Sequence, residues 1–475
     1  MDDDRDFLQE SEDIDKVINR YQKMLVDRSS FYFDVNEFEN IIDYYLDELD
    51  YKKALNAADF GLRQHPISNE LKIKKVQVLF QMEKFDQALQ ILVVVEKYNT
   101  QDSEMYFLLG NIYAIKGKYD LALEKFDLAI KYNTDNVVDF LFSVSLALEQ
   151  ADAYHLAIKY LNDAYSIDDS FPSVIYEMAY CYEKLNDYNN GIIFYNKYLD
   201  INPFSQDGWY NLGILYNKTN QHELAIDAYE YAIAIDPNFS SAYFNKANTY
   251  ANKDEHQKAI DIYNEYIEID KNNPDVYYYM GECYEKLSDL NKAIECFRKS
   301  VDTDEEFSDG WYGLGFVSYV LNDFETGLKY IKNAVAIDSL NADYWLLMGQ
   351  IYSELDKINE AVESFQKAID LDPSDDEIWL NFSDLYFDHN KISDAIDILS
   401  KGIRINDNQA TLNFRLAAYY LKINNPSIAV DYFKNGLKLN HEMNREFFDY
   451  CSSVDKISQF DELYSNYLKN KQNEF

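Results

Sequence analysis

The chain has 475 residues, and 84 acidic against 44 basic side chains leave it a formal charge of −40 at neutral pH. Such a surface repels phosphate backbones and anionic lipid headgroups, which argues against nucleic acid and membrane as partners and for basic ones. Hydrophobic residues make up 47%, enough for a continuous core, yet no run approaches the roughly 18 apolar residues of a membrane-spanning helix.

Residues 1–12 read MDDDRDFLQESE, an acidic start expected to fray, without the basic and apolar pattern of a secretory leader. In 13–27, Ile14, Val17, Ile18, Tyr21 and Leu25 recur at helical spacing, so 1–34 is expected to end in a capping helix. From Val35 onwards one pattern takes over, and 206–238 shows it most clearly. Trp209, Leu212, Gly213 and Tyr216 stand at positions 4, 7, 8 and 11 of a unit, and Ala225, Tyr229 and Ala232 at 20, 24 and 27. Each set lies on one face of a helix. Pro237, at position 32, cannot continue the second helix, so the chain turns there. The small Gly213 and Ala225 are expected to let the two helices approach closely, with Trp209 and Tyr229 filling the space around their crossing.

With the residue at position 20 as anchor, units begin at Val35, Asn69, Ser103, Val138, Pro172, Gln206, Ser240, Pro274, Ser308, Ala342, Asp376 and Ala410. The spacing is 34 residues everywhere except one interval of 35, between Ala122 and Ala157. All four tryptophans (209, 311, 345 and 379) occupy position 4. Lys72, Lys75 and Asn413 break the pattern in units near the ends, as expected where one side of a unit faces water. Residues 444–475 carry two further helical patterns, a capping pair. The chain thus divides into 1–34, a repeat array over 35–443, and 444–475.

A helix-turn-helix unit of 34 residues with these small and aromatic positions resembles the tetratricopeptide repeat (TPR). The resemblance implies an all-α, right-handed superhelical solenoid of stacked helix pairs, with the first helices lining a concave groove. It also implies that positions 2, 5, 6, 9, 12 and 13 read a peptide in that groove. Carried onto this chain, position 5 supplies an aromatic ribbon: Phe107, Phe142, Tyr176, Tyr210, Phe244, Tyr278, Tyr312 and Phe414. Positions 6, 9 and 12 add Asn111, Tyr180, Asn211, Asn217, Asn245, Asn248 and Glu282. An Asn amide can pair with a peptide group of an extended ligand, and aromatic faces and carboxylates attract Lys or Arg. The expected ligand is therefore an extended protein or peptide segment, basic and apolar, and the units from Tyr176 to Glu285 are the richest. The Lys, Asn and Arg set with which some relatives hold an acidic C-terminal carboxylate is missing from every run of three units.

No HExxH, His/Cys cluster or Gly-rich phosphate loop occurs, so no catalytic, metal or cofactor site is expected. Asp and Glu are so abundant that a carboxylate pair by itself carries no information. Cys181, Cys283, Cys296 and Cys451 form no CxxC pair and read as small buried residues of a reduced, cytoplasmic protein. The expected function is a non-catalytic scaffold that assembles or regulates a cytoplasmic complex. The alternatives are a non-catalytic subunit of an enzyme complex, a chaperone-like holder of basic or unfolded proteins, and a self-associating rod.

Overall fold

The computed structural model describes residues 2–27, 31–98, 101–134, 136–406, 409–451 and 457–472. Among these residues every regular element is a helix. The chain forms two compact units, Met1–Pro237 and Asn238–Phe475.

In the first unit the helix Asp2–Asp27 runs through the acidic start that was expected to fray. Ile18, Tyr21 and Met24 bury against Phe33, Phe38, Ile41 and Ile42, which closes the apolar face of the first repeat. Helix pairs then follow at the repeat interval, from Val35–Asp47 with Tyr51–Gln64 to Gln206–Lys218 with His222–Ile235. The expected starts coincide with the first residues of these helices except at Val137–Glu149, which begins one residue early and absorbs part of the long interval. One helix pair cannot bury its apolar face alone, so each pair packs on the next.

Two local devices recur through the array. Position 15, the link inside each repeat, adopts a left-handed backbone every time, with φ from 55° to 68°. Its occupants are mostly Asn and Asp, which tolerate that conformation, but Leu49 and Glu83 are also held there, at 56° and 57°. At position 4, each tryptophan donates its indole N–H to the carbonyl six residues earlier. The distances are 2.9 Å for Trp209 to Pro203, 3.0 Å for Trp311 to Glu305, 2.9 Å for Trp345 to Ser339 and 3.0 Å for Trp379 to Pro373. Trp209 is half-buried, and its ring stacks on Tyr231 at 4.5 Å, so it clasps the loop between repeats in addition to filling space.

The small positions work in two ways. A Cβ added to Gly213 would meet the Tyr229 ring at 2.6 Å, so this glycine makes room for an aromatic side chain. A Cβ on Gly327 would come within 3.2 Å of the Gly315 carbonyl oxygen, so here the backbones themselves approach.

The second unit continues with pairs from Ser240–Asn252 and His256–Ile269 to Ala410–Lys422 and Pro426–Asn440. A 3₁₀ turn (His441–Asn444) and the helices Arg445–Cys451 and Ile457–Gln472 follow. Phe447 and Phe460 pack on Phe433 with ring centroids 4.8 and 5.1 Å apart. The Asp384 carboxylate ties this end together. It accepts from the Tyr419 hydroxyl at 2.6 Å, from Tyr450 at 3.1 Å and from the Arg415 guanidinium. All four cysteines are free and buried.

Candidate functional site

Because each first helix starts in the same register, positions 2, 5, 6, 9 and 12 of successive repeats fall on one face. In the first unit this face carries Tyr176, Glu177, Tyr180 and Glu183 on Pro172–Lys184 and Asn211 on Gln206–Lys218. With Lys184 they line a cleft of 430 Å³. Asn211 Nδ2 donates to the Tyr176 hydroxyl at 2.8 Å, joining one repeat to the next. The Lys184 ammonium lies 4.9 Å over the Tyr180 ring. Glu177 and Glu183 both hold their protons to higher pH than an ordinary carboxylate, and burial is the main cause. Behind them, Glu149 is pushed up to about 8, first by burial and then by the charge of Glu177.

In the second unit the corresponding face carries Phe244, Asn245, Asn248, Tyr278 and Glu282. Phe244 packs against Tyr263, Tyr266 and Tyr279 at 6.3, 6.1 and 5.7 Å. Tyr278 donates to Glu282 at 3.0 Å, and burial raises the pKa of Glu282. Further along, Tyr312 stacks on Tyr344 at 5.3 Å. Burial raises Asp343 and Glu377 and lifts Asp376 to about 6.

The expected site residues thus divide by what they touch. Tyr176, Tyr180 and Asn211 meet in the first cleft; Asn248 and Glu282 line a second one of 500 Å³. Tyr210 leans on Tyr229 at 6.0 Å, and Asn245 is half-buried. Asn217 is engaged inside its own repeat, donating to Tyr229 at 3.1 Å and meeting His222 Nδ1 at 3.2 Å. Asn111 is only 7% exposed, so it does not present its amide to the surface. Phe414 is fully buried against Phe433 and leaves the ribbon.

Register marks Glu282 and Glu183, at positions 9 and 12, but Glu177 and Asp343, at positions 6 and 2, were not singled out from the sequence, because the abundance of acids hid them. Among the described residues no group of three or more His, Cys, Asp and Glu is arranged to hold a metal ion. No described helix is long and apolar enough to cross a membrane.

Four family models, each described as tetratricopeptide repeat, match residues 73–137, 172–205, 207–239, 228–261, 274–307 and 342–375. The chain is a tetratricopeptide-repeat protein. No curated protein matches this TPR chain in sequence. Among solved structures it is similar to the APC/C hetero-tetramer Cut9–Hcn1, at 16% identity over 91% of this chain and 95% of that one, with a TM-score of 0.40. It is also similar to YrrB, described as a TPR protein with an unusual peptide-binding site, at 22% identity over 39% and 95%, TM-score 0.32. The MamA protein matches at 19% identity over 35% and 91%, TM-score 0.32. TPR proteins in general are non-catalytic scaffolds that bind protein or peptide partners.

Proposed function

We propose that the first-helix face of each unit binds an extended, basic and apolar segment of a partner protein, and that the chain thereby assembles or regulates a cytoplasmic complex. One observation carries this reading. Glu149, Glu177 and Glu183 in the first unit, and Glu282, Asp343, Asp376 and Glu377 in the second, sit on first helices and are all raised in pKa, chiefly by burial. Glu149, Glu177, Glu183, Glu282 and Asp376 are half-buried, whereas Asp343 and Glu377 stay exposed at the edge of the face. A bound Lys or Arg supplies the opposite charge they lack and stabilises their ionised form. Binding then releases protons, and affinity rises with pH through the window in which these acids titrate.

The test is fluorescence anisotropy with a labelled extended peptide that alternates Lys or Arg with Leu or Val, against its Glu-substituted counterpart. The wild-type chain is expected to bind the basic peptide and not the acidic one. The paired changes Glu177→Gln with Glu183→Gln, and Glu282→Gln with Asp343→Asn, keep side-chain shape. Each is expected to weaken binding about tenfold or more. Equal binding of both peptides, or unchanged affinity in both variants, would remove the first-helix face as the site.

A further inference from the structure

The 500 Å³ cavity of the second unit is lined in part by Asn248, Ala251, His256, Tyr263, Tyr279 and Glu282. Its origin is visible when two repeats are laid side by side. In the repeat at 206–239, position 12 is Asn217, position 17 is His222 and position 24 is Tyr229. Asn217 satisfies both others, donating to the Tyr229 hydroxyl at 3.1 Å and placing Oδ1 3.2 Å from His222 Nδ1. In the repeat at 240–273 the histidine and the tyrosine are kept as His256 and Tyr263, but position 12 is Ala251. Tyr263 finds another acceptor, the Asn248 side-chain oxygen. His256 does not: its Nδ1 is buried without a hydrogen-bond partner, while its Nε2 lies 3.7 Å from the Asp254 carboxylate. Leaving such a group unpaired is unfavourable, and Ala251, which lines the same cavity, is too short to supply the amide that meets His222 in the preceding repeat.

We propose that this cavity receives an arginine side chain of the partner segment, with His256 Nδ1 and Glu282 as acceptors and the Tyr279 ring as the surface on which the guanidinium lies. The inference rests on the reading of the first-helix face as a site for basic segments and names the anchor. Asp254 beside Nε2 favours the tautomer with the proton on Nε2, which leaves Nδ1 an acceptor. Glu282 accepts the Tyr278 hydroxyl's hydrogen bond on Oε1, which leaves its other oxygen as the acceptor for the ligand. Tyr279 is 37% exposed and lines the cavity. Lys286, the cation on the wall, is directed to the rim, where its side chain is 61% exposed and 3.7 Å from Glu285. A planar group with five N–H donors can serve two acceptors and a ring together; a lysine ammonium has no plane to stack.

The experiment follows the imidazole NMR signals of the full chain, which has six histidines, with His256 assigned from the His256→Gln variant. The probes are the N-acetyl methylamides of arginine, lysine and citrulline, up to about 50 mM, because a single side chain binds in the millimolar range. Arginine is expected to move the His256 signal saturably and to leave His222 still. Lysine should require several-fold more, and uncharged citrulline should do nothing. Ala251→Asn restores the amide that the preceding repeat has and is expected to abolish the response without lowering the melting temperature. Glu282→Gln, which leaves Ala251 and the cavity in place, should weaken the response about tenfold. An unmoved His256 signal, an equal response to lysine, or wild-type responses in both variants would overturn the proposal. Should the basic peptide bind with His256 unmoved, the anchor falls and the wider reading stands; should the peptide not bind, both fall.

Discussion

Glu149 and Glu177 are two carboxylic acids that face one another on neighbouring first helices, with the Cys181 thiol beside them. Burial and the second carboxylate lift Glu149 from the ordinary 4.5 to about 8. Between those values the folded chain keeps a proton that the unfolded chain has already released. Stability from this pair is therefore greatest below pH 4.5 and is lost as pH rises through about 8. Glu149→Gln retains a donor toward Glu177 without the charge. It is expected to flatten the pH dependence and to raise the melting temperature by a few degrees at pH 8, as scanning calorimetry would show. At this scale the site was only partly legible in the sequence. The spacing put Tyr176, Asn211 and Glu282 on the first-helix face, where they line the two clefts. It could not say that Asn211 would bond to Tyr176 in the preceding repeat, that Asn217 would be occupied by Tyr229 and His222, or that Asn111 would be covered. Those outcomes depend on which neighbour reaches which rotamer, and spacing within one unit carries no such information.

At the scale of the element, the helix pair was almost fully legible. A fixed interval between small and aromatic residues reports a contact that has to be remade in every repeat, so helix starts fall where the anchors place them. The left-handed residue at position 15 is less visible, because no single residue type marks it. Leu49 is the clearest misfit: it is 71% exposed and holds φ at 56°, where a Cβ is disfavoured by roughly 1–2 kcal/mol. Leu49→Gly is expected to stabilise the first repeat by about 1 kcal/mol. Slower amide exchange in Val35–Asp47 and Tyr51–Gln64 would show this directly, and faster exchange there would mean that Leu49 makes a compensating contact.

At the scale of the whole molecule, the charge of −40 sets solution behaviour. Self-repulsion of that size opposes compaction, while exposed ion pairs such as Lys116–Asp86 at 2.7 Å and Lys292–Asp289 at 3.0 Å contribute little, because water and salt screen them. Repulsion should win. Raising salt from low to about 0.5 M, where the screening length falls to a few ångströms, is expected to increase the melting temperature; a decrease would mean that the ion pairs dominate. The same salt should slow association with a basic peptide.

The tryptophan clasps between repeats also have an optical consequence. An indole whose N–H is held by a carbonyl changes its emission when that junction opens. Three of the four tryptophans (311, 345 and 379) belong to the second unit, whereas the 43 tyrosines are spread along the chain. Indole fluorescence and tyrosine absorbance therefore watch different parts of one polypeptide. If the two units melt separately, the two signals will trace different unfolding curves from a single unlabelled sample.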